Sequence, residues 1–215
     1  MSISGLCLSD GVEVKAAGII LAAGESRRMG RPKALLPFRG GTFVSEIAEN
    51  LGRHCEPVIA VFGFDAANVM RSAALIKPLG SFVRVENPLY RMGMLTSLQA
   101  GLRAVPEDCD AVCFTLVDHP AVLPATVDAL FGGFSQCAAP IAIPRRAGKR
   151  GHPVLVRREI MAEFLAEKPE AMVRDVVDRH AAEILYLEVD DRGISDDIDN
   201  PALYEELLAR EAGRR

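Results

Sequence analysis

The chain has 215 residues, a formal net charge of -4 at pH 7 and 49% apolar residues. This length and apolar content suit one α/β domain with a substantial core, and they exclude a disordered chain. The negative balance argues against generic nucleic-acid binding and no apolar run reaches the length of a membrane span, so we expect neither nucleic acid nor membrane as a partner.

The N-terminus and the cysteines indicate in which cellular compartment the protein is expected. Residues 1–15 have no basic segment and no long apolar stretch, so we expect a short tail rather than a secretory signal, followed by a single domain over residues 16–213. The 5 cysteines lack C-x-x-C spacing, which is typical of a reducing compartment and predicts a cytoplasmic location. The 4 histidines form no zinc pattern, so any metal is expected to have oxygen ligands.

Strand-like apolar runs alternate with helix-like segments along the chain. We predict strands over 16–22, 58–62, 82–85, 111–117, 139–144, 152–156 and 184–189, with a basic hairpin turn at 145–151. We predict helices over 43–52, 66–76, 94–104, 123–133, 157–166, 171–180 and 201–212, the last with Asn200 as its N-cap and Gly213 as its stop. This alternation predicts a mostly parallel sheet covered on both faces, with ligands at the carboxyl ends of the strands.

The loop after the first strand is the most informative segment. The apolar run over 16–22 stops at Ala23-Gly24, where glycine lets a ligand approach the backbone. Four cations follow within seven residues: Arg27, Arg28, Arg31 and Lys33. A triphosphate would explain this cluster, whereas ordinary solvated loop charges are the alternative. The glycine spacing matches neither a P-loop nor a dinucleotide fingerprint.

The same loop resembles the LAAG-x-S-x-RMG-x-x-K-x-LLP opening of the MobA-like NTP transferases, and most closely the molybdopterin cytidylyltransferase branch. The resemblance implies a Rossmann-like α/β three-layer sandwich of the nucleotide-diphospho-sugar transferase type. It also implies an enzyme that binds a nucleoside triphosphate with Mg²⁺, with Arg28, Lys33 and Asp118 as catalytic residues. The nucleotide-binding residues that it implies in this loop are Leu21, Ala22, Ala23, Gly24, Glu25, Ser26, Arg28, Met29, Gly30 and Lys33.

Residues 87–98 resemble a second family segment, N-P-x-x-x-x-G-M-x-x-S-L, which approaches the base and ribose in relatives. This resemblance implies contacts from Asn87, Gly93, Thr96 and Ser97, although Thr96 or Ser97 could instead cap the following helix. A preference for CTP over GTP rests on the resemblance too, because guanylyl relatives tend to carry a second glycine in the opening loop.

Mg²⁺ requires hard oxygen ligands, usually one or two carboxylates. Asp118 ends the apolar strand over 111–117 and resembles the metal-binding aspartate of the family's L-x-D-x-P segment; a simple turn or helix cap is the alternative. The acidic cluster near the C-terminus resembles D-[IV]-D-T-P. We assign the second ligand to Asp197, then Asp199, then Asp196, the alternative being that Asp199 or Asn200 only caps the last helix.

The acceptor site is less well marked. Residues 151–154 resemble the family's G-H-P-V segment beside the acceptor, which implies a role for His152. His119 stands where relatives often have Gln or Met, and Arg150 could recognise an anion or simply be solvated. A G-D-x-G-A-R-like segment of relatives corresponds to residues 169–175, which lack its glycines and keep only Arg174.

The family resemblance implies a Mg²⁺-dependent nucleotidyltransferase that transfers CMP from CTP to a phosphorylated acceptor, molybdopterin being the first choice, with release of pyrophosphate. One alternative is a nucleotidyltransferase for a sugar phosphate or another small phosphorylated acceptor. Another is a non-catalytic nucleotide-binding accessory protein for molybdoenzyme maturation. A transient contact with a molybdoenzyme or its chaperone is compatible both with the molybdopterin transferase and with the accessory protein.

Overall fold

The computed structural model describes residues 14–73 and 81–213. In these ranges the strands are β1 (Ala16–Ala22), β2 (Pro37–Phe38), β3 (Gly41–Thr42), β4 (Cys55–Phe62), β5 (Phe82–Glu86), β6 (Ala111–Leu116), β7 (Ile141–Arg146), β8 (Lys149–Arg150), β9 (Val154–Arg157) and β10 (Ile184–Glu188). The helices are α1 (Phe43–Leu51), α2 (Ala66–Ala73), α3 (Met94–Leu102), α4 (Pro124–Ser135), α5 (Arg158–Ala166), α6 (Val173–Arg179) and α7 (Pro201–Ala212).

The strand β1 lies inside the main sheet, whose order is β10-β7-β9-β6-β1-β4-β5, with β8 paired to β7. β1 is parallel to both of its neighbours, β4 and β6, while β9 runs antiparallel between β6 and β7. The chain leaves β1 for β4 and β5 and then returns to its other side as β6, so the strand order reverses at β1. Loops that leave neighbouring strands at such a point diverge and open a crevice for a ligand.

Helices cover both faces of this sheet. Along β1, Ala16 and Ile20 point into one hydrophobic cluster, and Ala17, Ile19 and Leu21 point into the other. This alternation follows from the two-residue period of a strand. Helices α1, α2, α4 and α7 supply the first cluster, and α3, α5 and α6 supply the second. The predicted α/β three-layer sandwich with a mostly parallel sheet is therefore confirmed.

The predicted strands and helices are present, with bounds that differ by at most three residues where the structure describes them. β4 begins earlier than expected, because Cys55 already lies opposite Ala16 of β1. β7 continues to Arg146 because a turn at Ala147 and Gly148, both with positive φ, lets β8 pair back onto it. The short hairpin of β2 and β3 was not predicted.

Some predictions concern residues near or beyond the ends of the described ranges. Asn200 caps α7 by accepting the Leu203 amide at 3.0 Å, and Gly213 follows the helix as its C-cap, both as predicted. Residues 74–76 of the helix predicted over 66–76, and residues 1–13 of the predicted tail, lie outside the described residues. Within 14–73 and 81–213, no helix combines the length and the apolar character needed to cross a bilayer.

Candidate active site

A cleft of about 380 Å³ opens at the carboxyl ends of β1 and β6, where the strand order reverses. Much of the predicted nucleotide site forms its wall. The predicted site residues that line the cleft are Leu21, Ala22, Ala23, Gly24, Ser26, Arg28, Lys33, Gly93, Ser97, Asp118 and Asp199. The structure thus brings the opening loop, part of the second segment and two of the candidate metal ligands into one cavity.

Gly24 is a glycine that neither packing nor backbone conformation explains. A Cβ added at Gly24 would meet no atom within 4 Å, and its φ lies outside the left-handed region. Gly63, by contrast, is required by packing, because its Cβ would lie 2.8 Å from the carbonyl oxygen of Ala23. Since Gly24 lines the cleft, the space beside it is available for a ligand that approaches the backbone closely.

Other predicted residues shape the opening loop from within. The Ser26 carbonyl accepts the amides of Met29 and Gly30 at 2.9 and 3.1 Å, and Ser26 Oγ accepts the Lys33 amide at 3.2 Å. Met29 is 7% exposed and packs in the hydrophobic core. The side chain of Met29 therefore anchors the loop and does not line the cleft.

Lys33 is the electrostatic centre of the cleft. Its Nζ donates to Asp118 Oδ2 at 2.8 Å and also to Asp199 Oδ1, while only 11% of its side chain is exposed. Burial alone would lower the pKa of Lys33, but Asp118 and Asp199 outweigh this effect, and the pKa lies above its ordinary value. The hydrogen bond from Lys33 is the main cause that lowers the pKa of Asp199. Arg28 also reaches Asp199, at 2.5 Å, with 70% of its side chain exposed.

The other oxygen of Asp118 faces a second cluster. Asp118, His119 and Asp197 each offer one ligand atom within 4.8 Å of the other two. His119 Nε2 lies 3.0 Å from Asp197 Oδ1 and 3.9 Å from Asp118 Oδ1. Asp118 Oδ1 is buried and has no hydrogen-bond partner among the described residues, so it can accept a cation. The sequence predicts oxygen ligands alone, whereas this cluster includes an imidazole nitrogen.

The three aspartates near the C-terminus have separate partners. Asp197 faces His119, and the hydrogen bond from that imidazole is the main cause that lowers the pKa of Asp197. Asp199 pairs with the cations of the opening loop. Asp196 instead binds Arg192 at 3.0 Å and Arg210 of α7 at 2.6 Å. This division supports Asp197 as the first choice for the second metal ligand and leaves Asp196 in a structural role.

Hydrogen bonds of the backbone and of one side chain hold the two carboxylate-bearing segments together. The Ile198 amide donates to the Asp118 carbonyl at 3.1 Å. Asp191, which is 4% exposed, accepts from Thr126 Oγ1 at 2.7 Å and from the Gly193 amide at 2.8 Å. Asp191 thereby ties the segment before the aspartates to the start of α4. Asp191 could not be identified from the sequence, because nothing in its local pattern indicates burial.

Asn87 and Thr96 support the second predicted segment from inside. Asn87 Nδ2 donates to Thr96 Oγ1 and to Ser97 Oγ, both at 2.9 Å, and Asn87 Oδ1 accepts the Leu89 amide at 2.9 Å. Both Asn87 and Thr96 are 3% exposed and neither lines the cleft, unlike Ser97 and Gly93. The N-cap of α3 is Gly93, so neither Thr96 nor Ser97 caps this helix.

The predicted acceptor residues are divided between two places. The ring of His119 is buried 4.9 Å from the ring of His152. Burial, followed by the neighbouring His119, lowers the pKa of His152 to about 3, so this imidazole is neutral at physiological pH and does not attract a phosphate as a cation. Arg150 pairs with Asp178 at 2.6 Å, and Arg174 is exposed on α6. Neither arginine lines the cleft.

Two aromatic residues of the cleft were not among the predicted site residues. Phe64 and Tyr90 line the cleft. Phe64 follows the end of β4, so the strand-end rule could have identified it. The predicted ligand contact Glu25 pairs instead with Arg27 and with Arg91, whose Nε lies 3.3 Å away. The hydrogen bond from Arg27 lowers the pKa of Glu25, which keeps its carboxylate charged beside the mouth of the cleft.

The open space at Gly24 generates a first prediction. Gly24→Ala should weaken CTP binding at least about tenfold, roughly 1.4 kcal/mol, because the added methyl group would occupy the position of the ligand. The melting temperature of the free protein should stay close to that of the wild type, since no atom contacts the new Cβ. Calorimetric titration and thermal unfolding measure the two effects.

Gly132→Ala is the matched control, because Gly132 is exposed on α4 and its added Cβ also meets no atom within 4 Å. This control should bind CTP as the wild type does. Wild-type affinity in Gly24→Ala would show that no ligand uses the space beside Gly24.

The position of Lys33 generates a second prediction. Lys33→Ala should reduce CTP affinity or turnover at least about tenfold, roughly 1.4 kcal/mol, because the phosphates lose a buried cation. Lys15→Ala is a suitable control, since Lys15 pairs with Asp108 at the opposite end of β1. Titration and steady-state kinetics measure both variants. Equal affinity and turnover in the wild type and Lys33→Ala would remove Lys33 from phosphate binding.

Comparison with known proteins identifies the family. Residues 18–184 match the MobA-like NTP transferase domain. The chain is 28% identical to the molybdenum cofactor cytidylyltransferase of Escherichia coli K12 over 174 residues, which cover 80% of this chain and 86% of that protein. It is 31% identical to the probable molybdenum cofactor guanylyltransferase of Mycobacterium ulcerans Agy99 over 163 residues, 74% of each chain. It is also 36% identical to the nicotine blue oxidoreductase of Paenarthrobacter nicotinovorans over 146 residues, 65% of this chain and 69% of that protein.

Solved structures agree with the fold. The Rv0371c protein of Mycobacterium tuberculosis H37Rv, in its complex with manganese, superimposes with a TM-score of 0.71 and 26% identity over 91% of this chain and 99% of that chain. A nucleotidyl transferase of Methanothermobacter thermautotroptrophicus superimposes with a TM-score of 0.76 at 19% identity, over 94% of this chain and 99% of that chain, and shares the nucleotide-diphospho-sugar transferase fold. With the family match over most of its length, the chain belongs to the MobA-like NTP transferases.

Proposed function

We propose that this protein is a Mg²⁺-dependent cytidylyltransferase that transfers CMP from CTP to molybdopterin and releases pyrophosphate. The observation that carries the proposal is the part-buried ammonium of Lys33, held by Asp118 and Asp199 in a cleft whose Gly24 leaves open space beside the backbone. The name of the Escherichia coli relative supports the choice of CMP and of molybdopterin as the substrate pair. A cytoplasmic location is part of the proposal, supported by the free thiols of Cys55, Cys109, Cys113 and Cys137.

The ion pairs of the free protein can be exchanged for ligand contacts. Lys33 and Arg28 are cations, and both share Asp199 as a partner. A triphosphate that enters the cleft would compete with Asp199 for these cations. Charge-assisted contacts of this kind are among the stronger polar interactions.

The residues around Asp118 fit a divalent cation. Asp118 Oδ1 is buried without a hydrogen-bond partner among the described residues, and the Asp197 carboxylate lies beside it. Two carboxylates with substrate oxygens and water are the usual environment of Mg²⁺. When bound, the ion would supply electrostatic stabilisation of the negative charge that develops during nucleotidyl transfer.

The chain's own residues would contribute by positioning and by charge. Lys33 and Arg28 would orient the triphosphate and stabilise the charge that accumulates on pyrophosphate as it leaves. The acceptor is a phosphate ester that is already ionised at neutral pH, so the reaction needs no general base. The neutral imidazole of His152 is consistent with this mechanism, in which it serves a positional role.

Three other functions compete with this proposal. The same cleft could serve another phosphorylated acceptor, or it could bind a nucleotide without turnover. The relative from Paenarthrobacter nicotinovorans favours a redox function, because it is 36% identical and is named an oxidoreductase. The cluster of cations in the opening loop favours a triphosphate, and that loop lacks the dinucleotide fingerprint. Pyrophosphate release from CTP, measured with molybdopterin and with other phosphorylated acceptors, and beside nicotine blue oxidoreductase activity, distinguishes these possibilities.

A third prediction tests catalysis. Asp118→Ala should reduce metal-dependent pyrophosphate release at least about a hundredfold, because both the cation and Lys33 lose a partner. Circular dichroism should show an intact fold, since the Asp118 side chain lies at the end of a strand and outside the hydrophobic clusters.

Asp128→Ala is the control for this variant, because Asp128 pairs with Arg53 and His54 away from the cleft. Its activity should equal that of the wild type. Undiminished activity in Asp118→Ala would remove Asp118 from the catalytic site.

A fourth prediction tests which nucleobase the protein prefers. CTP should raise the melting temperature more than GTP does at equal concentrations with Mg²⁺, because the opening loop has Ala22-Ala23-Gly24 without a second glycine. A thermal-shift series with the four common nucleoside triphosphates measures this preference. A larger shift with GTP would reassign the protein to guanylyl transfer.

A further inference from the structure

The two oxygens of Asp118 have separate environments. Oδ2 accepts from Lys33 Nζ at 2.8 Å. Oδ1 is buried, has no hydrogen-bond partner among the described residues, and lies 3.9 Å from His119 Nε2. A cation at Oδ1 would therefore leave the contact between Asp118 and Lys33 in place.

The spacing of the atoms around Oδ1 suits one six-coordinate ion. His119 Nε2 lies 3.0 Å from Asp197 Oδ1 and 3.9 Å from Asp118 Oδ1, and the three ligand atoms span no more than 4.8 Å. For bonds of about 2.1 Å, neighbouring ligands of an octahedral ion lie about 3 Å apart and opposite ligands about 4.2 Å apart. The 3.0 Å distance already matches neighbouring ligands, and small movements of the Asp118 and Asp197 side chains would bring the other distances into this range.

His119 is held in place by burial. Its side chain is 3% exposed, whereas the Asp197 side chain is 66% exposed. A cation between the two carboxylates would replace the hydrogen bond from Nε2 to Asp197 and bind the Nε2 lone pair, with the imidazole proton on Nδ1.

We propose that His119 is a third protein ligand of the cation at this site, and that its nitrogen makes the site bind Mn²⁺ more tightly than Mg²⁺. The inference rests on the proposed function, which places a cation at Asp118 and Asp197. Mg²⁺ strongly favours oxygen ligands, whereas first-row transition ions accept imidazole nitrogen readily. A ligand set of two carboxylates and one imidazole therefore favours Mn²⁺ over Mg²⁺.

The test uses the full chain and Mn²⁺ alone, without nucleotide or acceptor. Electron spin-echo envelope modulation of bound Mn²⁺ should show coupling to an imidazole ¹⁴N nucleus, and labelling the histidines with ¹⁵N should remove it. A titration of free Mn²⁺ by its room-temperature resonance, with Mg²⁺ as competitor, should give a preference for Mn²⁺ of at least about tenfold.

Two histidine variants separate the neighbouring rings. His119→Gln should lose the ¹⁴N coupling and reduce the preference for Mn²⁺ to below about threefold, because an amide oxygen can replace the nitrogen. His152→Gln should keep both the coupling and the preference. Asp118→Ala should abolish Mn²⁺ binding, which assigns the signal to this site.

Several results would overturn the inference: absence of bound Mn²⁺, Mn²⁺ bound at Asp118 without ¹⁴N coupling, or coupling that persists in His119→Gln. If His119→Gln does not fold, the spectra of the wild type with ¹⁴N and with ¹⁵N histidine still show whether an imidazole binds the Mn²⁺ ion. The proposed function can be refuted independently of this inference. Nitrogen coupling without pyrophosphate release would refute the transferase alone, and release without nitrogen coupling would refute the ligand role of His119 alone.

Discussion

One ammonium group, on the largely but not fully buried side chain of Lys33, holds the site together. Lys33 Nζ contacts Asp118, which is 85 residues away in the chain, and Asp199, which is 166 residues away. A charge with so little exposure is costly unless it is paired, so the three segments that carry these residues must meet at one point. The sheet order brings the ends of β1 and β6 together, and the contacts of Asp191 and Ile198 bring the C-terminal aspartates to the same place.

Sequence patterns predicted the fold well because its determinants are local and repetitive. The apolar runs marked the long strands, and the period of two along β1 divides its side chains between the two hydrophobic clusters. The hairpin of β2 and β3 was missed because two-residue strands are too short to show a period. The hairpin turn predicted at 145–151 implied that β9 runs antiparallel to β7, and the structure confirms this pairing. The second pairing of β9, with β6, could not be predicted, since an apolar run does not reveal which strands lie beside it.

The site was predicted less completely, because a motif identifies residues without giving the direction of their side chains. Gly24, Lys33 and Asp118 line one cleft, as expected from their places after strands. Met29 lies in the opening motif and Thr96 in the segment 87–98, but the side chains of both point inward and support their loops. The approach of His119 to Asp197, like the pairing of Arg150 with Asp178, joins distant segments and leaves no trace in local sequence.

The last helix has a consequence for how the protein responds to its ligands. Arg210 of α7 holds Asp196, next to the aspartates of the site, and the Tyr204 hydroxyl of α7 donates to the Pro37 carbonyl, just after the opening loop. Fraying of α7 would therefore loosen two walls of the cleft at once. A ligand that binds only the intact cleft must then suppress this local unfolding by mass action. Amide hydrogen exchange in the C-terminal helix thus becomes a reporter of occupancy for a site to which the helix itself contributes no ligand.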